Sequence, residues 1–210
     1  MPETKPVNLA VFVSGGGTTL QNFIDLTAAG QLPAKVAVVL ASRKSAYGLV
    51  RAEENGIPSV VVPSARYKRD WKGMSAAIND AIAPYDIDLI CLAGFMCLYH
   101  IPPQYEGRVM NIHPALIPAF CGENFYGHHV HEGVLEYGAK VSGCTVHFAN
   151  NEYDHGPIIV QRTVPVLDDD TPDTLAARVF EQECIAYPEA IRLFAEGRLK
   201  IEGRRVRILA

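Results

Sequence analysis

Residues 9–21 read Leu-Ala-Val-Phe-Val-Ser-Gly-Gly-Gly-Thr-Thr-Leu-Gln. The first five are apolar and predict a buried strand, and the serine and three glycines that follow predict a tight turn. Apolar residues then recur at the spacing of one helix face, up to about Gly30, at Leu20, Phe23 and Ile24. Thr18 and Gln21 have the spacing of a capping box, which predicts that Thr18 caps the start of this helix.

The alternation of strand and helix continues to residue 93. Apolar runs predict further strands at residues 36–41, 59–62 and 89–93, and helical spacing predicts helices at 47–55 and 70–83. Four parallel strands separated by three helices require crossover connections, which are right-handed. We therefore predict an α/β fold with an open, mostly parallel, doubly wound (Rossmann-like) sheet.

After residue 100 the pattern changes. The predicted elements are a strand at 109–112, a long Pro- and Gly-rich loop at 114–127, a short helix at 130–137, strands at 142–148 and 157–166, and a helix introduced by 168–172 that extends to about 195. The short connection between the last two strands predicts an antiparallel pair. The sequence thus predicts an antiparallel C-terminal extension, and 210 residues suit a single domain.

The composition argues against several classes of protein. A formal net charge of -4 gives no general attraction for nucleic acid or an anionic membrane, so an anionic substrate must be captured locally. The five cysteines form no Cys-x-x-Cys pair, which argues against a zinc ribbon and a dithiol redox site. Without a signal-peptide pattern or an apolar run of roughly 18 residues, the chain is predicted to be cytoplasmic. The basic residues near the C-terminus are interpreted as a solvated face: Arg198, Lys200, Arg204, Arg205 and Arg207.

The glycine turn at residues 14–17 is the first candidate site. A strand, a glycine turn and a helix place unpaired backbone amides and the positive end of a helix dipole at one point, which suits a phosphate. The order of residues does not fit a Walker loop, and Leu20 stands where a dinucleotide fingerprint has its last glycine. A phosphomonoester is therefore favoured over a dinucleotide, and a tight turn without a ligand is the alternative.

Asn111 and His113 form the second candidate site. They alternate on a predicted strand, so both side chains point to the same side at its carboxyl end, where ligands bind in open α/β sheets. The alternative is a partly buried histidine that hydrogen-bonds a loop carbonyl. Asp154, in the acidic loop 150–157, is the carboxylate that we expect beside His113, where it would raise the pKa of the imidazole.

The remaining histidines carry weaker signals. His147 alternates with Thr145 on a strand, which is typical of a structural histidine, although it could also line the pocket. His128, His129 and His131 invite a metal interpretation, but adjacent residues point in different directions and no acidic partner has ligand spacing. We therefore predict no metal site.

With these residues in view, the sequence resembles the folate-dependent phosphoribosylglycinamide formyltransferases over nearly its whole length. The resemblance rests on an ordered series of motifs: residues 14–21, Leu-Ala-Gly-Phe-Met at 92–96, Asn-Ile-His-Pro-Ala-Leu-Ile-Pro at 111–118, Gly-Cys-Thr-Val-His-Phe at 143–148, Asp-His-Gly-Pro-Ile at 154–158, and Gln182-Glu183 with Tyr187-Pro188. It implies the formyltransferase fold in one domain, with a phosphate-binding half at about 7–105 and a folate-binding and catalytic half at about 106–210.

The resemblance also implies roles for individual residues. The substrate 5-phosphoribosylglycinamide would be held by Gly16, Gly17, Thr18 and Thr19 at its phosphate and by Glu183 at its ribose hydroxyls. The co-substrate 10-formyltetrahydrofolate would lie against Arg69, Met96, Cys97, Leu98, Tyr99, Asn111, Asn150 and Tyr153. Asn111, His113 and Asp154 would form the catalytic group. Thr19 stands where the family commonly has Asn, and Cys97 where Arg often follows Phe-Met, so a folate contact at residue 97 must come from backbone atoms.

This catalytic group suits formyl transfer without a covalent nucleophile or a metal. Attack of the amine on the formyl carbon creates an oxyanion and an ammonium together. The expected roles are hydrogen-bond donation to the oxyanion by Asn111, electrostatic stabilisation by protonated His113, and support of that charge and proton relay by Asp154. The expected partners are small molecules, without nucleic acid or membrane, for a monomer or homodimer in purine biosynthesis.

Three other functions are considered. Formyltetrahydrofolate hydrolases share the Asn-x-His and Asp elements but carry an N-terminal regulatory domain, which we expect to be absent before Leu9. Methionyl-tRNA formyltransferases have an additional RNA-binding domain and a basic surface, which we also expect to be absent. A catalytically silent nucleotide-binding module would need only the glycine turn, and it predicts that Asn111, His113 and Asp154 lie apart.

Overall fold

The computed structural model describes residues 6–210. The chain forms two compact units, a first that ends at Met110 and a second that comprises Asn111–Ala210. The α/β class and the mostly parallel sheet with an antiparallel C-terminal part are as predicted, and the prediction of a single domain stays a prediction. Among the residues described, no helix is long and apolar enough to cross a membrane.

The first unit contains four parallel strands. They are β1 (Val7–Val13), β2 (Ala34–Ala41), β3 (Ser59–Val61) and β4 (Leu89–Leu92), in the order β3-β2-β1-β4. β1 pairs with both β2 and β4, and five of its seven residues, Leu9 to Val13, are completely inaccessible to solvent. Burial of continuous apolar strands is typical of parallel sheets. The three helices between the strands are α1 (Thr18–Ala28), α2 (Gly48–Glu54) and α3 (Trp71–Ile82).

The start of α1 differs from the prediction. Gly17, with a left-handed φ of 68°, is the residue that caps the helix, and it makes no side-chain cap hydrogen bond. Thr18 is the first helical residue, and the Gln21 side chain donates to Asp25 instead of reaching back. The predicted capping box is therefore wrong, because a third glycine in the left-handed conformation already turns the chain into the helix.

The second unit follows the predicted order. Strand β5 (Val109–His113) leads into it, and it contains α4 (His128–Tyr137), β6 (Val141–Phe148), β7 (Ile158–Pro165) and α5 (Pro172–Ala195). β6 and β7 are antiparallel, with Thr145 opposite Gln161. Thr171 caps α5 by accepting a hydrogen bond from the Thr174 amide, and Pro172 fits the first helical turn. The antiparallel extension and the long final helix are confirmed.

The chain ends in a hairpin that the sequence did not predict. β8 (Leu199–Glu202) and β9 (Arg205–Ile208) are antiparallel, and β9 pairs with β7 in parallel at Ile158. The basic side chains of this segment are mostly exposed, as expected, but Lys200 and Arg207 both pair with Glu202. The segment is thus an edge of ordered strands with paired charges.

Candidate active site

Asn111, His113 and Asp154 come together in the second unit. Asn111 and His113 lie at the carboxyl end of β5, and Asp154 lies in the loop between β6 and β7. The Asn111 amide nitrogen donates to Asp154 Oδ1 at 3.2 Å, and His113 Nδ1 lies 3.4 Å from Asp154 Oδ2. The His113 and Asp154 side chains are 4% and 10% exposed, so water screens their interaction weakly. This placement removes the arrangement that would have favoured the silent-module alternative, in which the three residues lie apart.

Backbone constraints hold Asp154 in this position. Its φ of 51° lies in the left-handed region, which non-glycine residues adopt only where the surroundings impose it. Two residues later, the loop packs directly against the Phe148 carbonyl at the end of β6. A Cβ on Gly156 would overlap this carbonyl, so the close approach requires glycine. Asp154 Oδ2 also accepts a hydrogen bond of 3.0 Å from the Gly122 amide, which ties the loop 114–127 to the cluster.

Both ring nitrogens of His113 face acceptors. Nε2 lies 2.8 Å from the Phe120 carbonyl oxygen, which can only accept, so Nε2 carries a proton and donates it. The loop-carbonyl contact that the sequence offered as an alternative for His113 is therefore present, together with the Asp154 contact. Nδ1 faces a carboxylate oxygen. The ring is thus placed between two groups that both stabilise the imidazolium.

The net shift of the His113 pKa is nevertheless downward. Burial lowers this pKa below its ordinary value of 6.5, and the charge of Asp154 and the Phe120 carbonyl offset the lowering only in part. The predicted effect of Asp154 on this pKa is present, but burial outweighs it, and the sequence does not reveal how deeply the imidazole is buried. Burial alone would raise the pKa of Asp154, but the neighbouring imidazoles of His147 and His113 and the hydrogen bond from the Gly122 amide hold it below its usual range.

His147 belongs to the cluster, although its position on a strand is also typical of a structural histidine. Its Nδ1 donates to the Phe148 carbonyl at 2.9 Å, so Nε2 is free to accept from the Asn111 amide at 3.2 Å. The Asn111 amide nitrogen thus contacts both His147 and Asp154. The period-two alternation of β6 was the available signal, because it places His147 on the same face as Thr145.

The glycine turn of the first unit leaves several amides without backbone partners. Among residues 6–210, the amides of Gly17, Thr18 and Thr19 make no backbone hydrogen bond outside regular helix and strand pairing. Gly15, Gly16 and Thr18 are exposed, whereas the Thr19 side chain is buried. An anion at this turn would therefore meet backbone amides and the Thr18 hydroxyl.

The residues expected to contact folate differ in exposure. Met96 and Tyr153 are more than one-third exposed, Arg69 and Asn150 lie on loops, and Leu98 is half-buried. The side chains of Cys97 and Tyr99 are buried, and the Tyr99 hydroxyl donates to Asn79 Oδ1 at 2.5 Å. A ligand at positions 97 and 99 would therefore meet their backbone atoms.

Glu183 lies on α5 with an unusual carboxyl group. The residue as a whole is half-buried, but its carboxyl group is buried. Without a compensating partner among the described residues, this burial raises the pKa of the carboxyl to about 7. A buried carboxyl needs hydrogen-bond donors, and the hydroxyls of a polar ligand could supply them. This environment is compatible with the hydroxyl-binding role that the resemblance implies.

The histidines of α4 are not grouped as metal ligands. His129 pairs with Glu132 at 2.9 Å, His128 lies 3.4 Å from Asp173, and His131 is buried. Among the residues described, no group of three or more His, Cys, Asp or Glu side chains could hold a metal ion.

A family model described as formyl transferase matches residues 7–191. The chain belongs to the formyl transferase family. The match spans the glycine turn, the cluster of Asn111, His113 and Asp154, and most of α5. The resemblance inferred from the motifs is thereby confirmed at the level of the family.

Individual members of the formyl transferase family resemble this chain closely. The phosphoribosylglycinamide formyltransferase of Haemophilus influenzae is 39% identical over 196 residues, which cover 92% of this chain and 90% of that protein. Glycinamide ribonucleotide transformylase 1 from Symbiobacterium toebii has a solved structure with 44% identity and a TM-score of 0.89, over 100% of this chain and 96% of that one. A formyltetrahydrofolate deformylase from Pseudomonas syringae has a TM-score of 0.86 at 22% identity, over 99% of this chain and 67% of that one, and shares the fold.

Proposed function

We propose that this formyl transferase moves the formyl group of 10-formyltetrahydrofolate to the amine of 5-phosphoribosylglycinamide, as a step of purine biosynthesis. The observation that carries the proposal is the buried cluster of Asn111, His113 and Asp154. An amide donor, an imidazole and a carboxylate in contact can stabilise an oxyanion and move a proton. The likeness to phosphoribosylglycinamide formyltransferases over nine-tenths of both chains supports this substrate pair.

The two substrates engage separate groups. The phosphate of the ribonucleotide binds the amides of residues 16–19, and Glu183 accepts hydrogen bonds from the ribose hydroxyls. The folate lies against Arg69, residues 96–99 and the loop that carries Asn150 and Tyr153. Two observations among residues 6–210 support the first part of this assignment: the amides of the glycine turn lack backbone partners, and the Glu183 carboxyl is buried without a compensating partner. The exposure of Met96 and Tyr153 supports the second.

The reaction is a direct addition and elimination. The substrate amine attacks the formyl carbon, a C–N bond forms, and the formyl oxygen becomes an oxyanion while the amine becomes an ammonium. Asn111 donates a hydrogen bond to the oxyanion, and each such donor contributes on the order of 3 kcal/mol to lowering the barrier. The C–N10 bond of the folate then breaks, the carbonyl re-forms, and the ammonium proton is delivered to N10.

The lowered pKa of His113 fits this sequence of events. In the free protein the imidazole is neutral near pH 7, because burial disfavours its charge. The oxyanion places a negative charge beside the ring and raises the His113 pKa, so the ring takes up the ammonium proton, through Asp154 or a water, as the oxyanion forms. His113 then returns this proton to N10 when the folate leaves.

A spectrophotometric formyl-transfer assay tests the proposal. Tetrahydrofolate should appear from 10-formyltetrahydrofolate only when 5-phosphoribosylglycinamide is present. Product without the ribonucleotide would identify a hydrolase, and no product in either case would favour a binding module. His113→Ala should abolish turnover while calorimetry shows ribonucleotide binding largely intact. A comparable loss of binding would contradict the separation of roles.

We further propose that the enzyme works in the cytoplasm as a monomer or homodimer, on small molecules alone. All five cysteines are free thiols, which suits a reducing compartment. The net charge of -4 gives no general attraction for nucleic acid.

A further inference from the structure

Helix α2 braces the outer side of the glycine turn through backbone contacts. The Gly48 amide donates to the Gly15 carbonyl at 3.1 Å. A Cβ on Gly17 would lie 2.8 Å from the Gly48 Cα, so the turn and the helix approach as closely as two glycines allow. The position of the turn is therefore set by α2 as well as by β1 and α1.

Arg51 completes this brace with its side chain. Its Nε donates to the Gly16 carbonyl at 2.9 Å, and its Nη1 donates to Gln21 Oε1 at 2.9 Å. The guanidinium also lies over the Tyr47 ring, 5.1 Å from the ring centroid. Three separate contacts thus fix one guanidinium between α2, the turn and α1. Lysine could not replace it, because only arginine presents several donors in a fixed planar geometry.

These contacts determine which groups of the turn face a ligand. The Gly15 and Gly16 carbonyls both accept hydrogen bonds from α2 residues, so neither oxygen is directed at an anion. The amides of Gly17, Thr18 and Thr19 make no such backbone bonds among residues 6–210. Successive amides pointing to one side form an anion-binding concavity, and carbonyls turned into it would repel the anion.

We propose that Arg51 is a positioning residue for the substrate phosphate: it holds the Gly16 carbonyl away from the phosphate and adds a positive charge behind the turn. This inference rests on the proposed function, which places the ribonucleotide phosphate at residues 16–19. Arg51 acts through the peptide unit of Gly16, so its loss weakens phosphate binding and leaves the formyl-transfer step at His113 unchanged.

Calorimetry with 5-phosphoribosylglycinamide and with its riboside, which lacks the phosphate, tests the role of Arg51. R51M should raise the Kd of the ribonucleotide about tenfold, the effect of losing one charge-assisted hydrogen bond, with no change for the riboside.

R51K keeps the charge but cannot span Gly16 and Gln21, so it should recover only part of the affinity. Q21A, which removes one of the two partners, should raise the Kd less than R51M. K35M removes an equal charge from the opposite end of β2 and should have no effect.

Kinetics provide the second measurement. In formyl transfer, R51M and R51K should raise the KM for the ribonucleotide and leave kcat within about twofold. Full recovery in R51K, or equal losses for ribonucleotide and riboside, would overturn the positioning role. A wild-type protein that binds the ribonucleotide without transferring formyl would contradict the proposed function, while the binding comparison still decides the role of Arg51. Failure of the wild type to bind the ribonucleotide would overturn both proposals.

Discussion

At the scale of single residues, Asp154 connects the parts of the catalytic cluster. Its two carboxylate oxygens contact Asn111, His113 and the Gly122 amide. Asp154→Asn keeps the shape and removes the charge that favours the His113 imidazolium, so it should lower kcat by about 100-fold or more. The Kd for the ribonucleotide should stay within about twofold, since the phosphate binds elsewhere.

The matched control for this change is Asp168→Asn. Asp168 is exposed and pairs with the exposed Lys140, so steady-state kinetics should detect no effect. A D154N enzyme with nearly normal kcat would show that His113 becomes protonated without the carboxylate.

Glu183 yields a prediction about pH. Because the pKa of its carboxyl is about 7, the group is half neutral at pH 7, and the carboxylate accepts hydrogen bonds from hydroxyls more strongly than the neutral carboxyl does. The Kd ratio of E183Q to wild type for the ribonucleotide should therefore rise about threefold to tenfold between pH 6 and pH 8. Calorimetry at both pH values measures this ratio, in which titration of the substrate phosphate, with a pKa near 6, cancels.

Glu181→Gln is the control for Glu183. Glu181 is exposed on the same helix, and its ratio to wild type should stay near one at both pH values. A pH-independent ratio for E183Q would place the ribose hydroxyls away from this carboxyl.

At the scale of elements, the β1–α1 turn depends on one glycine. Gly17 combines a left-handed φ of 68° with the 2.8 Å approach of its missing Cβ to Gly48. Gly17→Ala should lower the free energy of unfolding by more than the roughly 1–2 kcal/mol of a left-handed alanine, and it should weaken ribonucleotide binding. Gly15→Ala meets nothing within 4 Å and should leave stability nearly unchanged. Thermal unfolding of both variants shows whether stability depends on the close approach at Gly17 or falls whenever any glycine of the turn is replaced.

The same turn shows how far the sequence alone determines an element. The apolar runs predicted every strand of the first unit to within two residues at each end. For β1, β2 and β4 the reason is that buried parallel strands are nearly continuous apolar segments. The spacing of Thr18 and Gln21 was misleading, since three glycines allow a helix start that needs no side-chain cap. The hairpin β8–β9 was missed because the basic residues of this segment were interpreted as a solvated face. Its two strands do alternate apolar and charged residues, with Leu199 and Ile201 in β8 and Val206 and Ile208 in β9.

The candidate site was predictable where chemistry and strand period agree. Asn111 and His113 share a face of β5, so their proximity followed from alternation alone. Asp154 was chosen for its charge, and its contact with His113 depends on a left-handed backbone that the sequence does not reveal. The depth of burial, which reverses the pKa shift of His113, and the contact of His147 with Asn111 arise from packing between distant segments.

At the scale of the whole molecule, two buried histidines couple stability to pH. Burial lowers the pKa of His113, and it lowers the pKa of His131 to about 4, with help from the charges of His128 and His113. In the unfolded chain both return to about 6.5, so between pH 6.5 and 4 the unfolded state binds protons that the folded state does not. The free energy of unfolding should therefore fall as pH falls through this window.

For His131 alone the loss between pH 6.5 and 4 is about 3 kcal/mol. Its Nδ1 has no hydrogen-bond partner within the described part of the chain, so H131L removes the proton-binding group without leaving a partner unsatisfied. Urea unfolding at pH 7.5 and pH 5 should show a smaller difference for H131L than for wild type, while H129Q, changed at an exposed histidine, should match wild type. An unchanged difference in H131L would assign the acid sensitivity to His113, whose imidazole must then remain neutral in the folded protein at pH 5.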